Sequence, residues 1–235
     1  MEKNYAVIAA GGLGTRLKDY KQNNFTKVLI DINGISMISL QIKQLASWGL
    51  NDFVIITNPE YHDMIKNDVE SNFNNLNLHF VTQLEPNGIA DALSYASEKI
   101  PENSLITFVL GDNFFGSNPL IDFDLDNFSG AHLFVKEVSN PQEFGVIEVS
   151  ADKVINIHEK PQDYISSFAV VGLYIYEYKC FEYIKHLKPS ERGELEITDL
   201  NKVFLSKKNL NYSILKSWWI DAGTEERIQN LKDLI

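Results

Sequence analysis

The chain has 235 residues, of which 44% are apolar, 11% aromatic and 23% charged, ordinary values for a globular protein that exclude a disordered, collagen-like or coiled-coil chain. Lys and Arg number 21 against 32 Asp and Glu, a net charge of -11, which argues against a coat for DNA or RNA but not against a small phosphorylated ligand held by a few local cations. A single cysteine, Cys180, excludes an internal disulfide and suits a reducing cytosol, and no stretch approaches the ~18 apolar residues of a membrane span.

The length suits one large domain. Tyr5–Ala10 is a short apolar run that ends in Gly11-Gly12, so it reads as a buried strand entering a loop rather than as a secretory leader. Ile38, Ile42, Leu45 and Trp48 recur at helical spacing over Met37–Trp48, and Gly49 supplies a helix stop. Phe53–Thr57 is a second buried strand, Tyr61–Val69 a helix and Leu76–Val81 a third strand. Ile89–Lys99 is a helix, and Leu105–Leu110 is a fourth strand running into Gly111-Asp112-Asn113. This alternation predicts an α/β fold: a Rossmann-like, mostly parallel sheet with helices on both faces and ligands at the carboxyl ends of the strands.

After about residue 130 the rhythm changes. Ala131–Val138, Phe144–Val149, Lys153–Glu159 and Phe168–Tyr176 read as strands without helices between them, an antiparallel addition to the sheet. Helices return at Lys179–Leu187 and Ile197–Lys207. A late strand at Leu210–Leu215 and a closing helix at Thr224–Ile235 follow.

The loop Gly11-Gly12-Leu13-Gly14-Thr15-Arg16-Leu17 lets backbone N–H groups approach phosphate oxygens. It fails the dinucleotide fingerprint, because Leu17 stands where the third glycine belongs, and it fails the P-loop, because Thr15-Arg16 follows Gly14. What remains is a glycine loop delivering one arginine, a planar donor suited to phosphate. An ordinary strand-to-helix turn with a solvated arginine fits the same residues. Asp112 and Asp221 each end an apolar run, and two such carboxylates suit Mg²⁺, which keeps waters and takes further oxygens from phosphates. Each aspartate beside a glycine also fits a plain turn. His62, His79, His132, His158 and His186 lack metal-ligand spacing, and Cys180, Trp218 and Trp219 read as packing residues.

The string Ala9-Ala10-Gly11-Gly12-Leu13-Gly14-Thr15-Arg16-Leu17 resembles the opening motif of the sugar-nucleotidyltransferases, or nucleoside-diphosphate-sugar pyrophosphorylases. Thr26-Lys27-Val28-Leu29-Ile30 resembles their second lysine segment, Leu110-Gly111-Asp112-Asn113 their metal-aspartate strand end, and Glu159-Lys160-Pro161 their glutamate-lysine-proline segment. Arg192–Asp199 and Trp219–Thr224, with Gly111-Asp112-Asn113, look closest to the glucose-1-phosphate thymidylyltransferase branch, and the resemblance spans nearly the whole chain. It implies a single nucleotidyltransferase domain over 1–235 of the GT-A-like kind, about 1–130 mainly for the nucleotide and about 131–235 mainly for the sugar and for completing the metal site.

The resemblance implies an Mg²⁺-dependent enzyme that joins a nucleoside triphosphate, dTTP or UTP, to a sugar 1-phosphate, glucose 1-phosphate first. Arg16, Lys27 and Lys160 are its expected catalytic cations. Ala10, Gly11, Gly12, Gly14, Thr15, Arg16, Gln83, Gly88 and Asp112 are expected to hold the nucleotide, with Gln83 and Gly88 at the base. Gly145, Glu159, Lys160, Val171, Gly172 and Arg192 are expected to face the sugar phosphate. Asp112 and Asp221 are the expected metal ligands. The Arg192–Glu196 ladder also fits a solvated helix start, with Thr198 and Asp199 as caps or surface residues. Departures from the pattern are Val28 in place of a polar residue, no proline at Ile30-Asp31 and no lysine-proline pair at Ile35-Ser36. The chain ends soon after Asp221, where thymidylyltransferases often carry further helices tied to assembly and feedback. A dimer or tetramer is the expected form if the chain assembles, with no nucleic-acid or membrane partner. Two other readings stand beside this one: a catalytically silent sugar-nucleotide-binding subunit on the same fold, and an NAD-dependent dehydrogenase, which the absent third glycine counts against.

Overall fold

A computed structural model describes residues 3–12, 26–125 and 127–235. In chain order the strands are β1 (Asn4–Ala9), β2 (Asp31–Ile32), β3 (Ile35–Ser36), β4 (Asp52–Thr57), β5 (Asn77–Thr82), β6 (Leu105–Leu110), β7 (Asn113–Phe115), β8 (Ala131–Glu137), β9 (Gly145–Ser150), β10 (Lys153–Glu159), β11 (Phe168–Glu177), β12 (Leu210–Ile214) and β13 (Trp219–Asp221). The helices are α1 (Met37–Ser47), α2 (His62–Asn72), α3 (Ile89–Ser94), α4 (Cys180–Ile184), α5 (Ile197–Ser206) and α6 (Glu225–Leu234).

The main sheet has nine strands. Its centre is the parallel set β6-β1-β4-β5, and β11 runs antiparallel against β6. Strand β11 carries the antiparallel addition: β8 pairs along its other edge, and β9, continued by β10, meets it at Ala169. The four strands expected as an antiparallel addition pair antiparallel, and the late strand β12 joins β8 in parallel after the crossover through α4 and α5. The small pairs β2-β3 and β13-β7 escaped the sequence reading because runs of two or three residues carry no usable periodicity.

Both faces of the sheet are covered. On β1, Tyr5 and Val7 join the core that contains Leu93 of α3, Phe181 of α4 and Phe204 of α5. Their neighbours Ala6 and Ile8 join the opposite core, with Ile42 of α1 and Val69 of α2. The period of two along a strand buried on both sides explains why β4 is apolar and buried at nearly every position. Helix α1 starts where the Ser36 hydroxyl accepts from the Ser39 N–H at 3.2 Å. It stops at Gly49, whose φ of +93° suits a residue without a side chain. The expected helix at Ile89–Lys99 is α for its first half and 3-10 for Tyr95–Lys99. Helix α6, begun by Thr224, which accepts from the Arg227 N–H at 3.3 Å, buries Ile228 and Leu231 against Ile32, Met37 and Phe114. Burial of those two side chains contributes about 1.5–3 kcal/mol each and fixes β13, just before α6, beside β7. Among the described residues no helix is long and apolar enough to cross a membrane.

Candidate active site

The two expected metal aspartates sit at strand ends, with Asp112 in the wall of a cleft. Asp112 follows β6, and Asp221 ends β13. Strands β7 and β13 pair with Asn113 opposite Asp221, and the Ala222 N–H donates to the Asp112 carbonyl at 2.8 Å. The backbones of the two aspartates expected to hold metal are thereby brought next to each other although far apart in the chain. Helix α1 fixes the backbone beneath them: the Gln41 amide donates to the carbonyls of Leu110 at 2.7 Å and Asn113 at 3.0 Å, and Gln44 donates to Phe115 at 2.7 Å. Neither glutamine was singled out from the sequence, where each is one polar residue on a helix; their spacing of three is the only available signal.

Asn113 is buried and knits three strands together. Its Nδ2 donates to Asp112 Oδ1 at 2.8 Å, and its Oδ1 accepts from the Gly172 N–H at 3.1 Å and from Trp219 Nε1 at 2.7 Å. Gly172 lies on β11 where the register against β8 shifts, and a Cβ there would sit 2.7 Å from the Asn113 amide carbon. Only glycine allows this approach. Trp219, read from sequence as a packing residue, does pack against the core and edge-on to Phe144 at 5.1 Å, and it is also a donor in this network.

Lys27, at the start of a short 3-10 turn, forms a salt bridge with Asp112. Burial opposes charge on Asp112, but the Lys27 ammonium and the Asn113 amide outweigh it and hold the carboxyl below the usual carboxylate range. Gly11, Gly12, Lys27, Gln83, Gly88 and Asp112 line one open cleft at the carboxyl ends of β1 and β6. Ala10 is fully buried behind it. Gly14, Thr15 and Arg16 lie outside the described residues.

Across the cleft, Gly88 takes a φ of +113°, and a Cβ on it would meet the Leu195 carbonyl oxygen at 2.5 Å. The Leu195 N–H donates to the Asn87 carbonyl at 2.7 Å, and the Ala90 N–H donates to the Leu195 carbonyl at 3.0 Å. The expected base loop is thus joined to the segment carrying Arg192. The Arg192 guanidinium donates to Glu196 Oε1 through Nε at 3.1 Å and Nη2 at 2.8 Å, and lies 3.5 Å from Glu159 Oε1. The reading of Arg192–Glu196 as a solvated ladder is corrected here, because Glu196 is buried at the head of α5, with Ser190 as a second donor at 2.8 Å.

Thr198 is buried too, and its hydroxyl donates to Glu159 Oε2 at 2.5 Å. It is neither cap nor surface residue. A Cβ on Gly145 would lie 3.4 Å from Oε2 of the same carboxylate, and Lys160 Nζ lies 3.8 Å from Glu159 Oε1. Burial, and then the charge of Glu159, push the Tyr174 phenol far above its ordinary range. Gly145, Lys160 and Arg192 therefore gather around the Glu159 carboxylate. Val171 does not join them: it is fully buried in the core on the α1 and α2 face, because β11 directs alternate residues to opposite sides. Gly172 abuts Asn113 rather than the Glu159 cluster.

Among the described residues no group of three or more His, Cys, Asp and Glu forms a metal cage. Asp112 and Asp221, hard oxygen donors on adjoining strand ends, fit a cation such as Mg²⁺ that draws its other oxygens from water and phosphate. The histidines make structural bonds, as where His62 Nδ1 lies 2.8 Å from Thr57 Oγ1 and 3.0 Å from Thr82 Oγ1. Cys180 is buried in the core, and its thiol is pushed up by burial.

Known proteins share this fold and much of its sequence. Residues 5–234 match the nucleotidyl transferase family profile. A glucose-1-phosphate thymidylyltransferase of Neisseria meningitidis is 35% identical over 237 residues, 97% of this chain and 81% of that protein. One from Mycobacterium tuberculosis is 32% identical over 239 residues, again covering 97% and 81%. A Bacillus anthracis structure described as a glucose-1-phosphate thymidylyltransferase, in complex with sucrose, superposes with a TM-score of 0.89 at 34% identity, covering 98% of this chain and 94% of that one. A UDP-glucose pyrophosphorylase complexed with UDP-glucose shares the fold, at a TM-score of 0.84 and 19% identity. With the strand-end aspartates, the glycine loop and the match over almost every residue, the chain belongs to the nucleotidyl transferase family.

Proposed function

We propose that the chain makes a nucleoside-diphosphate sugar and pyrophosphate from a nucleoside triphosphate and a sugar 1-phosphate, with dTTP first, UTP next, and glucose 1-phosphate as acceptor. The observation that carries this reading is the pairing of β7 with β13, which supports a shared site for Asp221 and for Asp112, the salt-bridge partner of Lys27, with the Glu159–Arg192 cluster as the sugar-phosphate candidate. The names of relatives at 32–35% identity supply the substrates.

An oxygen of the sugar phosphate attacks the α-phosphorus of the triphosphate, the bond to the bridging oxygen breaks, and pyrophosphate leaves in line. Such a reaction asks for positioning and charge neutralisation more than for covalent help. Asp112 and Asp221 would hold Mg²⁺, which supplies Lewis-acid neutralisation of phosphate oxygens. Lys27 accompanies the triphosphate, with Arg16 of the glycine loop as its expected companion. Lys160 and Arg192 take the sugar phosphate, Glu159 accepts from sugar hydroxyls, and Gln83 with Gly88 reads the base. Residues 1–130 chiefly serve the nucleotide and 131–235 the sugar.

The test is pyrophosphate release with Mg²⁺ across dTTP, UTP, CTP, GTP and ATP, each with glucose 1-phosphate and then with a panel of sugar phosphates. Release that needs both a thymine or uracil triphosphate and glucose 1-phosphate is expected. No release with any pair, from folded protein that binds nucleotide, overturns the enzymatic reading in favour of a regulatory subunit.

A further inference from the structure

We propose that Asp91 is a positioning residue for base selection, locking the Gln83 amide with its oxygen toward the cleft so that the site takes a base carrying a ring N3–H. This deepens, and rests on, the reading of the cleft as a nucleotide site.

Gln83 follows β5, and its N–H is fixed to the Thr57 carbonyl at 2.8 Å. The side chain is buried, yet it lines the cleft. Its Nε2 donates to Asp91 Oδ2 at 2.7 Å and to the Gly88 carbonyl at 3.3 Å. Both partners can only accept, so both amide hydrogens are committed and the rotated amide would set Oε1 against two oxygens. A free glutamine offers donor and acceptor alike; this one keeps only its acceptor. Thymine and uracil carry a hydrogen on N3 that such an oxygen accepts. Cytosine carries a lone pair there, and two acceptors would meet. Asp91 reaches no other side chain than Gln83 among the described residues' hydrogen bonds and ion pairs. The Ser94 hydroxyl also donates to the Asp91 carbonyl, at 2.6 Å. Asp91 lies in the first turn of α3, and a purely structural role there would change stability without changing which base is chosen.

The experiment compares kcat/KM for dTTP and for CTP, with Mg²⁺ and glucose 1-phosphate, in the wild type, Asp91→Asn and Asp91→Ala. The asparagine is nearly isosteric, and both changes free the Gln83 amide to rotate. The expected result is a wild type that prefers dTTP and variants whose dTTP:CTP ratio falls about tenfold or more, through KM more than kcat. An unchanged ratio in the folded variants overturns the proposal while leaving the nucleotidyl-transfer reading intact, as does a wild type that prefers CTP. If the wild type binds nucleotides without turnover, calorimetric affinities for dTTP and CTP give the same ratio, and the same fall in the variants is required. A wild type that binds neither overturns this proposal and the reading beneath it together.

Discussion

The ammonium of Lys27 is salt-bridged to Oδ2 of Asp112, so a cation assigned to the triphosphate and a carboxylate assigned to the metal neutralise each other in the free protein. A divalent ion approaching Asp112 has to displace that ammonium, and an arriving triphosphate offers Lys27 a new partner. Metal and nucleotide are then expected to bind together better than either binds alone.

Lys27→Met separates the two roles. It should tighten Mn²⁺ binding to the nucleotide-free protein several-fold, because the competing ammonium is gone, and lower turnover by about a hundredfold or more, because a transition-state cation is gone. The Lys27 side chain is only 11% exposed, so an unpaired Asp112 also costs about 1–3 kcal/mol of stability in the absence of metal. Calorimetric Mn²⁺ titration checks the first effect; an affinity equal to or weaker than wild type would refute the competition. Asp112→Asn and Asp221→Asn should each reduce turnover by about a thousandfold or more with an unaltered circular dichroism spectrum, and full activity in either would sink the metal assignment.

Asn113 and Gly172 are expected to fail in the same way. Asn113→Ala strips the acceptor from the Gly172 and Trp219 N–H groups and the donor from Asp112. Each buried group left unpaired costs about 1–3 kcal/mol. Gly172→Ala puts a methyl 2.7 Å from the same amide and displaces it. Either change should reduce kcat more than it raises KM for substrates, since Asn113 orients Asp112. In a double-mutant cycle by urea denaturation, the joint loss should fall well short of the sum of the single losses. Strict additivity would show that the two residues act independently.

The architecture was legible where periodicity is strong. The apolar runs of β1, β4 and β6, each ended by glycine or by Asn58-Pro59, and the 3-4 spacing of Ile38, Ile42 and Leu45 place the sheet and α1 correctly. The site was legible where a motif names its residues, as at Asp112, Lys27 and Glu159. It was not legible where tertiary contact alone gives a residue its role. Thr198 and Glu196 look like the capped start of an exposed helix until β10 brings Glu159 against Thr198 and Arg192 folds onto Glu196. Asn113 looks like a turn residue until β11 and β13 close on it. Val171 erred in the other direction, because its neighbours match the sugar segment while strand alternation sends its side chain into the core.

Arg192 is expected to couple stability to sugar-phosphate binding. Burial opposes its charge, while Glu196, Glu194 and Glu159 raise its pKa, so it stays charged across the working range. Arg192→Met leaves the buried Glu196 carboxylate with Ser190 as its remaining side-chain donor. Because the guanidinium side chain is 46% exposed, the expected loss is only about 1 kcal/mol. KM for the sugar phosphate should rise about tenfold or more while KM for the triphosphate stays level, measured with each substrate varied in turn. An equal rise in both would place Arg192 at the nucleotide instead.

His132 is expected to weaken the fold in mild acid. It lies buried where β8 meets β12, with Nε2 at 2.8 Å from Ser213 Oγ and its ring 4.8 Å from Phe123 and 5.0 Å from Phe134. Burial pushes its pKa down from 6.5 to about 4. The unfolded chain therefore takes up a proton through pH 6.5 that the folded chain refuses until about pH 4. Stability is complete above the unfolded value and falls as pH drops between the two, by about 3 kcal/mol at most. Below the folded value His132 is protonated in both states and adds nothing more. Asp112, whose pKa is depressed, acts in a lower window: its contribution is present above the ordinary carboxylate value and fades only as pH falls through its own folded value. His132→Phe keeps the aromatic packing and removes the titration. Urea denaturation at pH 7.5, 6 and 5 should show the wild type losing stability over that range by about 1–2 kcal/mol more than the variant. Parallel losses in the two proteins would assign the acid sensitivity to other groups.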